Sequence, residues 1–435
     1  MHLRLRKRTL RYRLLFPTTN DLYTDMKKIF LYAALFCTSL IMAGCGGGDD
    51  DDGGGAGGGG GNPDPTPSVT DVTPKNVAKT NSMKVYAHYM PWFVAPESSG
   101  VWNHWTMSAN PLKSDRSNFA SHYHPMTGAY ASDDAAILDY QCLLMKYSGI
   151  DGVMVDWYGS MKGVNDYEAN DNHTKALLKA IDKAKLKFTI VYEDATLSNV
   201  AADNRANQAR QDLLYLQSNY FNKNCYTKID GKPLFMCFGP QQVTNPADWT
   251  FIFQGQTAKP VFVALNGCSG AANNAQNKNC AGEFLWVNAN PDYTAAKNYD
   301  MYIGGAMPGF WDVYKQFGQG EGYTTYDREN GELLKRQLNA AKSAGLEWLQ
   351  ISTWNDYGEG TTIEPTEEYG YQSLETLQDF TGVSYKKSHL ELIYKWYQLR
   401  VKYAKDNAKT KTLEQCYTYF NALMPERAEE LMKGL

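Results

Sequence analysis

A chain of 435 residues, 43% hydrophobic and 13% aromatic, can bury a full-size core, and its 30 Tyr and 10 Trp offer flat faces on which sugars stack. The formal charge is −4, and beyond residue 44 the balance is 35 Lys and Arg against 45 Asp and Glu. So acidic a body lacks the basic footprint of a nucleic-acid binder.

The N-terminus reads as an address. Residues 1–25 are basic upstream sequence ahead of a better start at Met26. Met26-Lys27-Lys28, an apolar run over 29–42 and Ala43-Gly44 make a secretory signal over 26–44. The apolar run is too short for the roughly 20 residues that a membrane span needs. Cys45, directly after the small residues, resembles the acylated cysteine of a bacterial lipobox, which implies cleavage before Cys45 and lipidation of its thiol. The Gly-rich stretch that follows cannot pack, so 45–83 is expected as a tether. The acidic run 49–52 suits either a solvated spacer or a surface-export signal. Together these features predict an outer-membrane lipoprotein, periplasmic or surface-exposed, attached to the membrane by lipid alone.

Six cysteines remain in the exported body. Cys268 and Cys280 flank a Gly/Asn/Ala-rich loop, and a disulfide closing that loop is expected in an oxidising compartment.

From Lys84 onward, short β-branched or apolar runs alternate with helical patterns, as in a parallel sheet with crossover helices. Strands are predicted at 84–89, 152–157, 188–192, 233–238, 260–265, 283–287, 301–306 and 348–353. Eight strands fit a closed (β/α)8 TIM barrel over 84–380, with extended loops. One helix should start at Ser132-Asp133-Asp134 and stop at Gly149. Another carries Leu177, Leu178, Ile181 and Ala184, and a third carries Leu333, Leu334, Leu338 and Ala341 and ends at Gly345. Over 381–435, the stripe Leu390, Ile393, Trp396 and Leu399 predicts helices packed on the barrel.

Chemistry in such barrels sits just past the C-terminal ends of the strands. Those positions hold His88 and Trp92; Asp156 and Trp157; Glu193 and Asp194; Gln241; Asn266; Asn288; Phe310; and Asp356 with Glu359. Asp356 and Glu359 stand three apart in a Gly-containing turn. Glycoside cleavage needs one carboxyl to protonate the leaving oxygen and another to act as base or nucleophile. A D-x-x-E spacing is common on its own, and Asp156 and Glu193, facing the same opening, are what give it weight. Metal chemistry is a weak rival. His122-Tyr123-His124 would need further histidines from later strands, and only His173 and His389 follow. No nucleophile elbow, P-loop or dinucleotide fingerprint occurs.

The stretches Val85-Tyr86-Ala87-His88-Tyr89-Met90 and Thr353-Trp354-Asn355-Asp356-Tyr357-Gly358-Glu359 resemble glycoside hydrolase family 71, the α-1,3-glucanases. Trp102-Asn103-His104-Trp105, Tyr123-His124-Pro125, Gly149-Ile150-Asp151-Gly152, Gly231-Lys232-Pro233 and Glu359-Gly360-Thr361 with Ile363-Glu364-Pro365 resemble family 99, the endo-α-mannosidases and endo-α-mannanases. The resemblance covers roughly residues 84–370. It implies a (β/α)8 barrel, endo-type cleavage of an α-mannan or α-glucan, no cofactor or metal, and catalytic roles for Asp356 and Glu359. The pattern departs from both families. Family 99 usually has Glu where Asp356 stands and Trp-His where Tyr357-Gly358 stand, and family 71 usually has Ser at Gly360. The family 71 likeness and the shorter Asp356 favour attack by water with inversion, whereas family 99 enzymes are thought to use the sugar's own 2-hydroxyl.

Beside the catalytic pair, the expected substrate-binding residues are His88, Trp92, Trp102, His104, Trp105, Tyr130, Asp156, Trp157, Glu193, Trp311, Trp354, Asn355 and Glu364. The partner is a polysaccharide or oligosaccharide, and the protein is expected as a monomer. Two other readings stay open: a surface glycan-binding lipoprotein that kept the barrel, and a barrel acting in polysaccharide assembly.

Overall fold

The computed structural model describes residues 72–96, 102–107, 111–164 and 166–435. The expected signal sequence, Cys45 and most of the expected tether lie outside the described residues.

Eight parallel strands form a closed barrel: β1 (Lys84–Tyr89), β2 (Gly152–Trp157), β3 (Lys187–Tyr192), β4 (Lys232–Cys237), β5 (Val261–Leu265), β6 (Cys280–Phe284), β7 (Met301–Ala306) and β8 (Trp348–Ile351). Each pairs with the next, from Tyr86 opposite Gly152 to Ile303 opposite Trp348, and Lys84 opposite Trp348 closes the ring. A ring has no open sheet edge and encloses its own core. The fold is therefore the expected (β/α)8 barrel.

Period-two alternation sorts the strand side chains. Val85, Ala87 and Tyr89 of β1, Val153, Val155 and Trp157 of β2, and Phe188, Ile190 and Tyr192 of β3 join the core between the strands and the surrounding helices. Tyr86 and His88, Met154 and Asp156, and Thr189 and Glu193 are thereby turned to the barrel interior or its mouth.

Six connections carry α-helices: α1 (Ala135–Tyr147), α2 (Tyr167–Ala184), α3 (Arg205–Leu216), α4 (Pro246–Phe253), α5 (Glu332–Ser343) and, after β8, α6 (Gln372–Thr381). The β5–β6 and β6–β7 connections hold short 3-10 turns, Ser269–Ala271 and Ala296–Asn298. A hollow of about 1230 Å³, lined among others by Val261, Met301, Tyr302 and Trp348, opens there at the N-terminal end of the strands. It lies at the end where barrels carry stability and not catalysis.

The helix signals behave as local chemistry predicts. Asp134 caps α1 by accepting from Ala136 N at 2.7 Å and Ile137 N at 3.1 Å. Gly149 follows with φ +71°, and a Cβ there would strike Thr381 of α6. Beyond the barrel run α7 (Lys387–Lys402), α8 (Asn407–Asn421) and α9 (Pro425–Met432). Leu390, Ile393 and Trp396 of α7 are fully buried, while Leu399 is only partly so. No helix among the described residues is long and apolar enough to cross a membrane.

Three expectations shift. The predicted strand 283–287 is β6 at Cys280–Phe284, and the apolar Leu285-Trp286-Val287 that suggested the later register lies past its C-terminal end. The segment 72–83 packs: Val72 is buried, Lys75 N donates to Asn421 O at 3.1 Å, and Asn81 N donates to Thr381 O at 3.1 Å. Cys268 and Cys280 are not bridged, so the expected disulfide is absent. Cys280 Sγ faces Gly282 O at 3.0 Å, and the loop is closed by amides. Asn273 Oδ1 accepts from Asn279 N and Cys280 N, its Nδ2 donates to Cys280 O, and Glu283 accepts from Gly267 N and Ser269 N.

Candidate active site

The loop after β8 is built as a rigid turn. Thr353 N donates to Thr361 O at 2.9 Å and Ile363 N returns to Thr353 O at 3.0 Å, so the turn closes on itself. Asp356 N donates to Thr353 Oγ1 at 2.7 Å, and Glu359 N donates to Asp356 Oδ1 at 3.0 Å. Gly360 has φ +67°, and a Cβ there would stand 2.7 Å from Trp311 O, so only glycine fits. Arg328, buried between the rings of Tyr123 and Tyr369, holds the loop from behind by donating to Gly360 O at 3.2 Å and Thr362 O at 2.8 Å.

Asp356 and Glu359 are both buried at the barrel mouth. Burial pushes the Asp356 carboxyl up to about 6, opposed by the backbone N–H groups of Glu359 and Gly358 and by nearby His104. Glu359 is pushed well above its ordinary value by burial and then by the Asp356 charge, against a hydrogen bond from Tyr314. That bond runs from the Tyr314 hydroxyl to Glu359 Oε1 at 3.1 Å. Glu359 Oε2 has no hydrogen bond among the described residues.

Asp156 and Glu193 belong to the same field. Burial, then the Asp356 charge, raises Asp156 to about 8. Burial, then Asp156, raises Glu193 well above its usual range, although its side chain keeps some surface. Asp356, raised to about 6, thus ionises before Asp156, raised to about 8, and burial holds Glu193 and Glu359 toward their protonated forms.

His88 forms part of the floor. Burial lowers it to about 4, so its ring is neutral, and Nδ1 meets Gln350 Oε1 at 3.2 Å across the β1–β8 seam. Trp286 stands edge-on to it at 4.7 Å and edge-on to Phe238 at 4.8 Å. At one rim Trp92, half-buried, stacks on His104 at 4.9 Å, and His104 Nε2 meets Asp166 Oδ2 at 3.0 Å. At another rim Trp311 is 45% exposed, stacks on His122 at 3.7 Å, and donates its backbone N–H to Glu359 O at 2.9 Å.

Other expected binders are committed elsewhere. Trp157 alternates outward, donates to Asp171 Oδ1 at 3.0 Å and packs on Tyr215. Trp105 is fully buried, donates to Tyr130 O at 2.6 Å and stacks on Phe93. Trp354 is fully buried in the main core. Asn355 bonds Met90 through both its oxygen and its nitrogen, stapling the β1 loop to the β8 loop. Glu364 accepts from Gln141 at 2.7 Å, Tyr130 at 2.8 Å and Tyr357 at 3.0 Å, which engages both of its oxygens and accounts for Tyr130 as well. These side chains present no face to a substrate. Trp102 is partly buried against the Phe93–Trp105 cluster. Sequence reading missed Tyr314, Arg328 and Trp286. Only Trp286 had a signal, hidden by the misplaced strand register.

The histidines of the HxH motif serve different partners. His122 Nε2 meets Asp312 O at 3.0 Å and His124 Nδ1 meets Glu368 Oε1 at 2.7 Å. His124, Glu367 and Glu368 bring ligand atoms within 4.8 Å of one another, but Arg116 already engages both oxygens of Glu367.

No family model matches the chain. It is 22% identical over 320 residues to a glycoprotein endo-α-1,2-mannosidase of Mus musculus, covering 64% of this chain and 67% of that protein. It is likewise 22% identical over 336 residues to a glycoprotein endo-α-1,2-mannosidase-like protein of Homo sapiens, covering 66% and 70%. A family 99 endo-α-mannosidase structure from Bacteroides thetaiotaomicron aligns over 69% of this chain and 97% of its own, with TM-score 0.55 and 20% identity. The chain is homologous to these endo-α-mannosidases, and the structural match shows a shared barrel fold.

Proposed function

We propose that the protein is an endo-acting glycosidase that hydrolyses an α-mannan-type glycan, with Glu359 as general acid and Asp356 as base. The observation that carries this is the unequal carboxyl pair at the mouth. Asp356, raised to about 6, ionises near neutrality, while Glu359 is pushed well toward its protonated form and has one oxygen with no partner among the described residues. A pair whose surroundings drive the two pKa values apart is suited to acid–base work. Glu359 protonates the glycosidic oxygen as the bond from that oxygen to the anomeric carbon breaks. Water adds to the anomeric carbon and passes its proton to Asp356, and solvent resets both groups. Protonated Asp156 and Glu193 can donate to sugar hydroxyls, and Trp311, beside Glu359, offers a stacking face. The mannosidase relatives support mannan over glucan as the substrate.

Release of reducing ends from soluble α-mannan and α-glucan panels tests this. Oligosaccharide release from mannan is expected. Binding to either glycan without release would leave a glycan-binding protein instead. We further infer export as a lipoprotein acylated at Cys45. Cys45→Ala should move the protein from membranes to the soluble fraction, and membrane retention of that variant would refute it.

A further inference from the structure

The loop between β7 and α5 is zipped to the loop that carries the acids. Trp311 N donates to Glu359 O at 2.9 Å and Val313 N donates to Gly358 O at 3.0 Å, a pairing that runs along two consecutive turns of backbone. Asp312 braces the same loop, its Oδ1 accepting from Tyr314 N at 3.0 Å and its Oδ2 from Tyr323 N at 2.7 Å. The Tyr314 ring lies edge-on to Tyr323 at 5.9 Å. The Tyr314 hydroxyl is thus delivered to Glu359 by the backbone frame, with little freedom of its own.

A neutral carboxylic acid has one O–H donor, and its other oxygen only accepts. Tyr314 stays protonated, since burial raises it well above its ordinary value, and its hydroxyl donates to Glu359 Oε1. A proton on Oε1 would compete with that donor. The proton is accordingly directed to Oε2, which no described residue engages.

We infer that Tyr314 is a positioning residue that fixes which oxygen of Glu359 carries the proton delivered to the glycosidic bond. This rests on Glu359 being the general acid. The hydroxyl does two things at once. It presents the proton on the unpartnered oxygen, and by stabilising the ionised form it keeps Glu359 acidic enough to release it.

Tyr314→Phe removes the hydroxyl and keeps the ring. With soluble α-mannan as the probe, the alkaline limb of kcat/KM should move up by about one pH unit. The plateau kcat should fall about tenfold, in line with one lost hydrogen bond, with KM nearly unchanged. A limb that stays in place, even with kcat reduced, would overturn the inference, because a packing role lowers turnover without moving that titration. The same upward shift should appear without turnover in a carbon-13 titration of the Glu359 carboxyl, assigned by its loss in Glu359→Gln. Failure of this inference is separable from failure of the assignment beneath it. Wild-type turnover in Glu359→Gln removes the general acid itself, whereas an inactive Glu359→Gln beside an unmoved Tyr314→Phe limb removes only the role of Tyr314.

Discussion

The two ends of the loop after β8 hold glutamates five residues apart, and their surroundings differ. Both Glu359 and Glu364 are buried, and both are raised by that burial, Glu364 to about 7. Glu364 accepts hydrogen bonds from Gln141, Tyr130 and Tyr357, so both of its oxygens are engaged. Among the described residues, the Glu359 side chain accepts one, from Tyr314. A raised carboxyl therefore does not identify an acid catalyst. The number of its oxygens already spent on the protein separates a reagent from a rivet.

The contrast breaks first at Glu359. General acid–base assistance contributes about 10²–10⁴-fold, so Glu359→Gln should lose at least that much kcat with little change in KM. Near-wild-type turnover in this variant would transfer the acid's role to another carboxyl, Glu193 first. Asp356→Asn should lose a comparable factor. Asp356 adds a pH signature, because the base must be ionised: turnover should fall as pH drops through about 6, where Asp356 takes up its proton. An acid limb at the ordinary Asp value would speak against it.

Glu364→Gln should act on stability instead. Placing an amide nitrogen among three donors leaves buried groups mismatched, at a cost of about 1–3 kcal/mol. The sign with pH follows from the raised value. Glu364 supports the fold fully when pH is below its unfolded pKa, and that support fades as pH rises through about 7 in the folded state. The deficit of Glu364→Gln in urea unfolding should therefore be largest at acidic pH and shrink above neutrality. A deficit that grew with pH would contradict this, and a raised KM would return Glu364 to the substrate.

Most of the barrel was legible because closed parallel strands impose two constraints at once, an apolar run of limited length and a polar residue at its end. β1, β2 and β7 match their expected limits for that reason. β6 slipped because Leu285-Trp286-Val287 mimics a strand while lying beyond one. The site was legible to the extent that charge is informative: Asp156, Glu193, Asp356 and Glu359 form one electrostatic group at the mouth. Aromatic residues misled, since a ring fills a loop core as readily as it meets a sugar. Alternation alone would have turned Trp157 outward once Asp156 was turned in. Nothing in the sequence distinguishes Tyr314 from the other tyrosines, because its role depends on backbone pairing between two distant loops.

The smallest expected effect tests that aromatic ambiguity at the rims. Trp105 and Trp311 are both loop tryptophans near the catalytic turn. Trp105 has no exposed surface, and its indole N–H is spent on Tyr130 O. Trp311 leaves 45% of its surface open while its other side rests on His122. Removing a buried tryptophan costs about 3–5 kcal/mol of stability, so Trp105→Ala should weaken the fold and show little selective effect on KM. Trp311→Ala should barely change unfolding, because an exposed ring contributes little burial. Its loss should appear as a KM raised about fivefold, on the scale of about 1 kcal/mol for one aromatic stacking contact. Substrate length sharpens the comparison. Trp311 belongs to the rim that carries Glu359, and an acid there would face the departing sugar. The KM effect should therefore be present with a long mannan and vanish with a substrate whose leaving group is a single small aglycone. An equal KM penalty on both substrates would mean that Trp311 shapes the turn holding Glu359 and does not touch the glycan.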